Sequence, residues 1–262
     1  MTTAAPAIHP SAVVEAGAKL GAGVVVGPFC YIGNEVDIGD NTTFGPHCSV
    51  QGPARIGRDN RFVGHCAIGG EPQDKKYAGE RVELVIGERN VFREFCTINR
   101  GTVHDKGVTS IGSDNLLMAY THVAHDCVLG DKIVMSNCAT LGGHVRLGDW
   151  VIMGGFSGVH QFCKVGAHAF IGNNAAVTRD VPPFLMIVGQ PAQPHSVNSE
   201  GLKRRGFSEQ QIRNLRNAYR VLYRSELKLE DALAKLQESA ASHPEVKEFV
   251  DFIGISTRSL VR

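Results

Sequence analysis

Lys19-Leu20-Gly21-Ala22-Gly23-Val24-Val25-Val26-Gly27-Pro28-Phe29-Cys30-Tyr31-Ile32-Gly33-Asn34-Glu35-Val36-Asp37-Ile38-Gly39 places an aliphatic residue followed by glycine at every sixth position. Apolar residues hold this frame back to Val14 and Ile8 and forward to Ile56 and Ile68, and Ile86, Phe92 and Ile98 fall in it too. From Ile111 the frame moves by one residue and runs unbroken through Leu117, Val123, Leu129, Met135, Leu141, Leu147, Met153, Val159, Val165 and Ile171 to Val177. A period of six fits neither the α-helical turn nor plain strand alternation. It marks a hexapeptide β-helix. Three hexads make a triangular coil of roughly 18 residues, with neighbouring coils about 4.8 Å apart, the large aliphatic inside and glycine expected at the corner. Only stacked coils bury such a core.

The composition agrees: 262 residues, 43% hydrophobic, with 30 glycines, suit one repetitive domain plus an appendage. A net charge of +1 gives no sign of a nucleic-acid partner. Met1 to Pro6 has neither a basic start nor an apolar core, and no later stretch approaches the ~18 apolar residues of a membrane span. The expectation is a cytoplasmic protein without an integral membrane segment. Cys30, Cys48, Cys66, Cys96, Cys127 and Cys163 occupy the fifth place of their hexads, where alanine, valine or threonine stands elsewhere. They are expected to pack as small hydrophobes rather than as ligands or disulfides.

Function is expected where the repeat is interrupted, because insertions leave the rigid coil as loops. A β-helix over 1–190 has two such interruptions, near 69–85 and near 99–110, and an α-helical domain over 191–262 follows it. The first loop carries Pro72-Gln73-Asp74-Lys75-Lys76-Tyr77, which also suits a solvated turn. Beyond the loops, His122, His125, His144 and His160 stand at outward-facing places in consecutive coils. His125 and His144 are nineteen residues apart, one coil plus one residue, so their rings are expected on one wall.

Asp126 beside His125 can fix an imidazole tautomer, provided a corner relaxes the rule that strand neighbours face opposite ways. Histidine is suited to take a proton from a hydroxyl as its oxygen attacks a carbonyl. Gly142-Gly143 ahead of His144 leaves a backbone amide open to a developing oxyanion. A zinc site made of histidines from neighbouring subunits is the competing reading. The nearby Asp74, Lys76 and Gln161 suit polar substrate recognition better, so neither metal nor cofactor is expected.

After Val177, Asp180-Val181-Pro182-Pro183 and Gly189-Gln190-Pro191 end the coil. Ser208 with Gln211 forms a capping-box pattern ahead of the stripe Ile212, Leu215, Ala218, Tyr219, Leu222 and Tyr223. Further helices are predicted from Leu229 to about Ala241 and after Pro244. Arg213, Arg216, Arg220 and Arg224 recur at spacings of three and four, forming either a solvated face or a docking surface for an acidic partner. Arg204-Arg205 suits a diphosphate.

His122-Val123-Ala124-His125-Asp126-Cys127 resembles the catalytic segment of the UDP-N-acetylglucosamine O-acyltransferases. So do Pro72 to Tyr77, Val159-His160-Gln161-Phe162-Cys163 and Asn198-Ser199-Glu200-Gly201-Leu202-Lys203-Arg204-Arg205-Gly206-Phe207, and the similarity spans the whole chain. The resemblance implies a left-handed parallel β-helix with a helical tail, assembled as a homotrimer with sites between subunits. It implies transfer of a 3-hydroxyacyl group from acyl carrier protein to the glucosamine 3-hydroxyl of UDP-N-acetylglucosamine, the first step of lipid A biosynthesis. It further implies that His125 is the general base, Asp126 its partner and the Gly143 amide the oxyanion donor. Gln73, Asp74, Lys76, His122 and His144 would hold the sugar and the acyl hydroxyl. His160, Gln161, Asn198, Glu200, Arg204 and Arg205 would meet the nucleotide and diphosphate. Asn173 would be the acyl-chain ruler, and Asn99 stands where some members carry histidine.

Alternatives from other classes are a hexapeptide acetyltransferase using acetyl-CoA and a binding solenoid without chemistry. The former needs neither the tail nor the arginine pair; the latter predicts flat faces without a histidine wall. A sister N-acyltransferase carries an added amino-terminal domain, for which hexads beginning at Ile8 leave no room.

Overall fold

The computed structural model describes residues 4–262. Met1–Thr3, part of the amino-terminal stretch considered above, lie outside the described residues. Among the described residues, short and mostly parallel strands wind into a three-sided prism whose faces hold eleven, nine and eight strands. The chain passes from the first face (Val25–Val26) to the second (Tyr31–Ile32) and the third (Val36–Ile38), then returns to the first at Thr43–Phe44. Inside the second face one column of apolar residues pairs coil to coil, from Ile32 with Val50 and Val50 with Ile68 up to Val159 with Val177. On the first face, Phe44, Phe62 and Phe92 stack with ring centroids 4.7 and 4.6 Å apart, following the coil spacing.

The pairing explains the frame shift. Ile68 pairs with Ile98, thirty positions on where eighteen is the rule, and the twelve extra residues amount to two hexads, so the frame survives. Ile98 pairs with Val123, twenty-five positions on, and the seven extra residues move the frame by one. The two excursions span 71–82 and 100–107, and both leave the prism at the edge between the second and third faces. Asn99 and Arg100 tie their roots together. Asn99 Nδ2 donates to the Glu71 carbonyl at 2.8 Å, Arg100 N to Gly70 O at 3.0 Å, and Arg100 Nη1 to Gly69 O at 3.0 Å.

Glycine plays a different part from the expected one. The residue that turns the corner is the fourth of the hexad, and most often it is not glycine: Asn41, Asp59, Asp114, Asp126, His144 and Trp150 all have φ between 57° and 62°. Asn and Asp tolerate this region better than other side chains. The second-place glycine is required by close approach of the next coil. A Cβ at Gly39 would lie 2.6 Å from Arg58 N, and one at Gly27 would lie 2.7 Å from Phe44 O.

The six fifth-place cysteines are buried and all seven are free thiols. Burial pushes the Cys127 thiol up to about 12, which keeps it protonated and apolar.

The first sheet ends with Leu185–Val188 and Gln193–Val197, an antiparallel pair. Helices α1 (Ser199–Arg204), α2 (Glu209–Tyr223), α3 (Leu229–Ala240) and α4 (Pro244–Gly254) follow. The Ser208/Gln211 capping box forms as the spacing predicts, and Ile212, Leu215, Ala218, Tyr219 and Leu222 are buried. The spacing does not predict α1, whose one buried residue is Leu202. No helix among the described residues is long and apolar enough to cross a membrane.

Candidate active site

Both excursions arise at the edge where the next coils place third- and fourth-place residues His125 and Asp126, then Gly143 and His144, then Gln161 and Phe162. Asp126 has φ 60°, and this turn brings its carboxylate back to its neighbour: His125 Nδ1 and Asp126 Oδ2 are 2.8 Å apart. The second excursion fixes that carboxylate. Thr102 donates its N–H to Oδ1 at 2.8 Å and its hydroxyl to Oδ2 at 2.7 Å, while Asp126 N donates to Thr109 Oγ1 at 2.8 Å. Burial alone would raise the Asp126 pKa; hydrogen bonds from His125 and Thr102, with His144 nearby, outweigh it and hold the carboxyl below the usual range. The ionised carboxylate accepts Nδ1–H, which leaves the Nε2 lone pair of His125 outward.

His144 stands edge-on to His125, with centroids 5.1 Å apart, and stacks on Phe162 at 4.4 Å. Its Nδ1 lies 3.1 Å from Asp105 Oδ2. A Cβ on Gly143 would lie 2.6 Å from His125 Cε1, so glycine there lets the ring lie against the backbone. Among the described residues the Gly143 N–H meets no acceptor, whereas the amides at the same place in other corners, such as Ser113 and Gly155, donate to side chains of the following coil. Gln73, Asp74, Lys76, His104, His125, His144, Gln161 and Phe162 line a cleft of about 570 Å³. The backbone N–H of Lys76, with His125, Lys76 and His104 nearby, lowers the Asp74 pKa.

His125, Asp126 and His144 also bring one ligating atom each within 4.8 Å of the others. The Asp126 oxygens are, however, already engaged by Thr102 and His125, which suits a base-orienting carboxylate better than a metal ligand.

Residues 180–261 match the family model described as UDP N-acetylglucosamine O-acyltransferase, domain 2. The chain is 54% identical to the acyl-[acyl-carrier-protein]–UDP-N-acetylglucosamine O-acyltransferase of Thiobacillus denitrificans, over 97% of this chain and 99% of that one. It is 56% identical to the enzyme of the same name from Stenotrophomonas maltophilia, over the whole of both. The structure superimposes on LpxA from Acinetobacter baumannii with a TM-score of 0.95 at 41% identity, covering 97% and 99% of the two chains. It superimposes equally well, at 0.95 and 42% identity, on the UDP-N-acetylglucosamine acyltransferase of Francisella novicida, covering 97% and 94%. The chain belongs to the UDP-N-acetylglucosamine O-acyltransferase family. It is an acyltransferase with that family's left-handed parallel β-helix and helical tail.

Against that family's expected site, one chain gathers only part of the set. Gln73, Asp74, Lys76, His125, His144 and Gln161 share the cleft, with Asp126 and Gly143 against His125. His122 stands next to it on the second face, its Nδ1 2.7 Å from Thr97 Oγ1; burial, then His125, lowers its pKa. His160 is exposed, with Nδ1 3.2 Å from the Gln161 carbonyl. The remainder lie elsewhere. Asn198 caps α1 and its Nδ2 donates to His168 O at 3.0 Å. Arg204 is exposed on α1 and Glu200 lines a groove between α1 and α2. Arg205 lies 5.1 Å above Trp150 and 3.1 Å from His168 Nδ1, at the edge between the third and first faces. Asn173 is on the edge between the first and second faces, where its Oδ1 accepts the Gly155 N–H at 3.0 Å.

Of the arginine stripe, Arg213 is 3.6 Å from Glu209, Arg216 Nε donates to Ser199 Oγ at 3.2 Å, and Arg224 lies over Tyr219. Thr102, His104 and Asp105 escape sequence reading. Their position inside the second interruption is the one signal that could have marked them; nothing in the repeat fixes how that loop folds back.

Proposed function

We propose that the chain transfers a 3-hydroxyacyl group from acyl carrier protein to the 3-hydroxyl of the glucosamine in UDP-N-acetylglucosamine, in the cytoplasm, as the first step of lipid A biosynthesis. The observation that carries the reading is the His125–Asp126–Thr102 chain, with His125 Nε2 and the Gly143 N–H of the next coil both without a hydrogen-bond partner among the described residues. In this mechanism Nε2 takes the proton of the sugar hydroxyl as its oxygen attacks the thioester carbonyl. The carbonyl electrons move onto oxygen, where the Gly143 N–H meets the negative charge. Collapse breaks the carbon–sulfur bond, and the imidazolium returns its proton to the leaving sulfur. Asp126, held ionised, offsets the positive imidazolium without taking the proton. Attack is direct and no acyl-enzyme forms. Gln73, Asp74, Lys76, His122 and His144 bind the sugar and the acyl hydroxyl.

The working unit in this reading is a homotrimer. Asn173, Asn198, Glu200, Arg204 and Arg205 reach a cleft only if a neighbouring subunit supplies them, since they lie away from their own chain's His125 edge. The edge bearing Asn173 also carries a stacked aromatic ladder, Phe29, His47, His65, Phe95 and Tyr120, at centroid spacings of 4.8 to 5.1 Å. Phe29 is 63% and Tyr120 58% exposed in the single chain, an apolar stripe suited to a partner. In a closed three-fold ring each copy presents one surface to one neighbour and a different surface to the other.

Mass spectrometry of UDP-N-acetylglucosamine incubated with the protein and a series of 3-hydroxyacyl carrier proteins, with acetyl-CoA in parallel, tests the reaction. A mass gain of one hydroxyacyl group is expected. Transfer from acetyl-CoA alone would keep the base and overturn the donor.

A further inference from the structure

Beyond α4 the chain returns to the prism as an irregular strap, Ser256-Thr257-Arg258-Ser259, and the fully buried Asp180 holds it. Asp180 Oδ2 accepts from Ser256 Oγ at 2.8 Å, Thr257 N at 2.9 Å and Arg258 N at 3.2 Å. Its other oxygen accepts from Lys164 N at 2.7 Å, and Lys164 Nζ donates to Thr257 Oγ1 at 2.7 Å. The Asp180 backbone pairs with Ser259 O and Val261 N at 2.8 and 2.9 Å. So many bonds to one exposed stretch fix its position as well as its attachment.

What the strap presents is Arg258. Its side chain is exposed, and among the described residues it forms no ion pair. It points at His160, with Nη2 3.4 Å from Nδ1. That same nitrogen is 3.2 Å from the Gln161 carbonyl oxygen. If Nδ1 carries the proton it can donate to the carbonyl but meets the guanidinium as a second donor. If Nδ1 is bare it accepts from Arg258 but has nothing to give the carbonyl. No tautomer satisfies both contacts. An anion against the guanidinium removes the conflict, because Arg258 then donates to the anion and Nδ1–H to Gln161 O. Gln161 also lines the His125 cleft, so the anion would sit at the border of that cleft.

We infer that Arg258, set by Asp180 beside His160, forms an anion subsite that receives a phosphate group of a substrate. Guanidinium is the side chain best matched to phosphate oxygens. The inference rests on the acyl-transfer reading, which supplies two phosphates: the nucleotide diphosphate and the phosphodiester of the carrier protein's pantetheine arm.

Steady-state kinetics of the full-length wild type, Arg258→Gln and Arg258→Lys decide it, with each substrate varied while the other saturates, and a thermal melt of each variant alongside. The expected result is a rise of about ten-fold or more in one KM for Arg258→Gln, the scale of a lost charge-assisted hydrogen bond. Its kcat stays within about two-fold, and Arg258→Lys recovers part of the loss. A rise for UDP-N-acetylglucosamine assigns the diphosphate; a rise for the acyl carrier protein assigns the pantetheine phosphate. Unchanged KM values beside an active wild type would overturn the subsite. So would a fall in kcat and melting temperature without a KM change, which would make the strap purely structural. A wild type with no turnover would overturn the acyl-transfer reading instead.

Discussion

His125 and Asp126 are neighbours in sequence, and in an extended strand they would face opposite ways. They meet at 2.8 Å because Asp126 occupies the left-handed corner place. The pair was therefore legible as residue types, and its geometry followed once a corner was assumed. Thr102, which orients the carboxylate, was not legible, because a loop outside the repeat inherits no register from it. Gly143 makes the sharpest test at this scale. Gly143→Ala puts a methyl 2.6 Å from His125 Cε1 and pushes the ring out of line. Turnover is expected to fall by about 100-fold, as a displacement of about 1 Å costs in oriented catalysis, while the melting temperature stays near wild type. Steady-state kinetics with a parallel melt would check both.

At the scale of the element, the hexad assigns separate duties to its places. The first fills the interior, the second admits the next coil, and the fourth turns the chain. The period exposed the first of these duties and hid the others, since glycine's frequency at the second place suggests a corner that the fourth place in fact makes. The third place often ties one coil to the next, and Asn173 does this by accepting the Gly155 N–H. Asn173→Gly thus has two expected effects: loss of about 1 kcal/mol from the missing hydrogen bond, and, as the proposed ruler, a shift toward longer acyl donors. Donor competition read by mass spectrometry measures the second; an unchanged length preference would remove Asn173 from chain-length selection. Asp180→Asn tests the strap. It turns an acceptor of several donors partly into a donor, and is expected to destabilise by about 2 kcal/mol or more and to open residues 256–261 to proteolysis.

For the whole molecule, the period was enough to give a parallel β-helix, but its hand came only through resemblance to the acyltransferase family, because the period alone does not set it. The proposed homotrimer likewise came only through that resemblance: one chain shows an edge with His125 and other edges with Asn173 and Arg205, and no sequence pattern states which edges meet. The junction of prism and tail has its own pH signature. Burial, then the neighbouring Arg205, lowers His168 to about 4, so the ring is neutral in the folded protein across the range in which an unfolded histidine takes a proton near 6.5. Between these values the unfolded state binds more protons, so stability falls as pH drops from about 6.5 toward 4. The full shift corresponds to roughly 3 to 4 kcal/mol before solvent screening, which reduces it. His168→Gln is expected to flatten that part of the stability profile, as unfolding midpoints at several pH values would record.

The most direct test of the account is the turnover of His125→Ala, measured together with its circular dichroism and its solution mass. A general base predicts a folded assembly with the wild-type mass and a rate lower by about 100-fold or more. Wild-type turnover in a folded variant would contradict the mechanism, and loss of the fold would make His125 a structural residue.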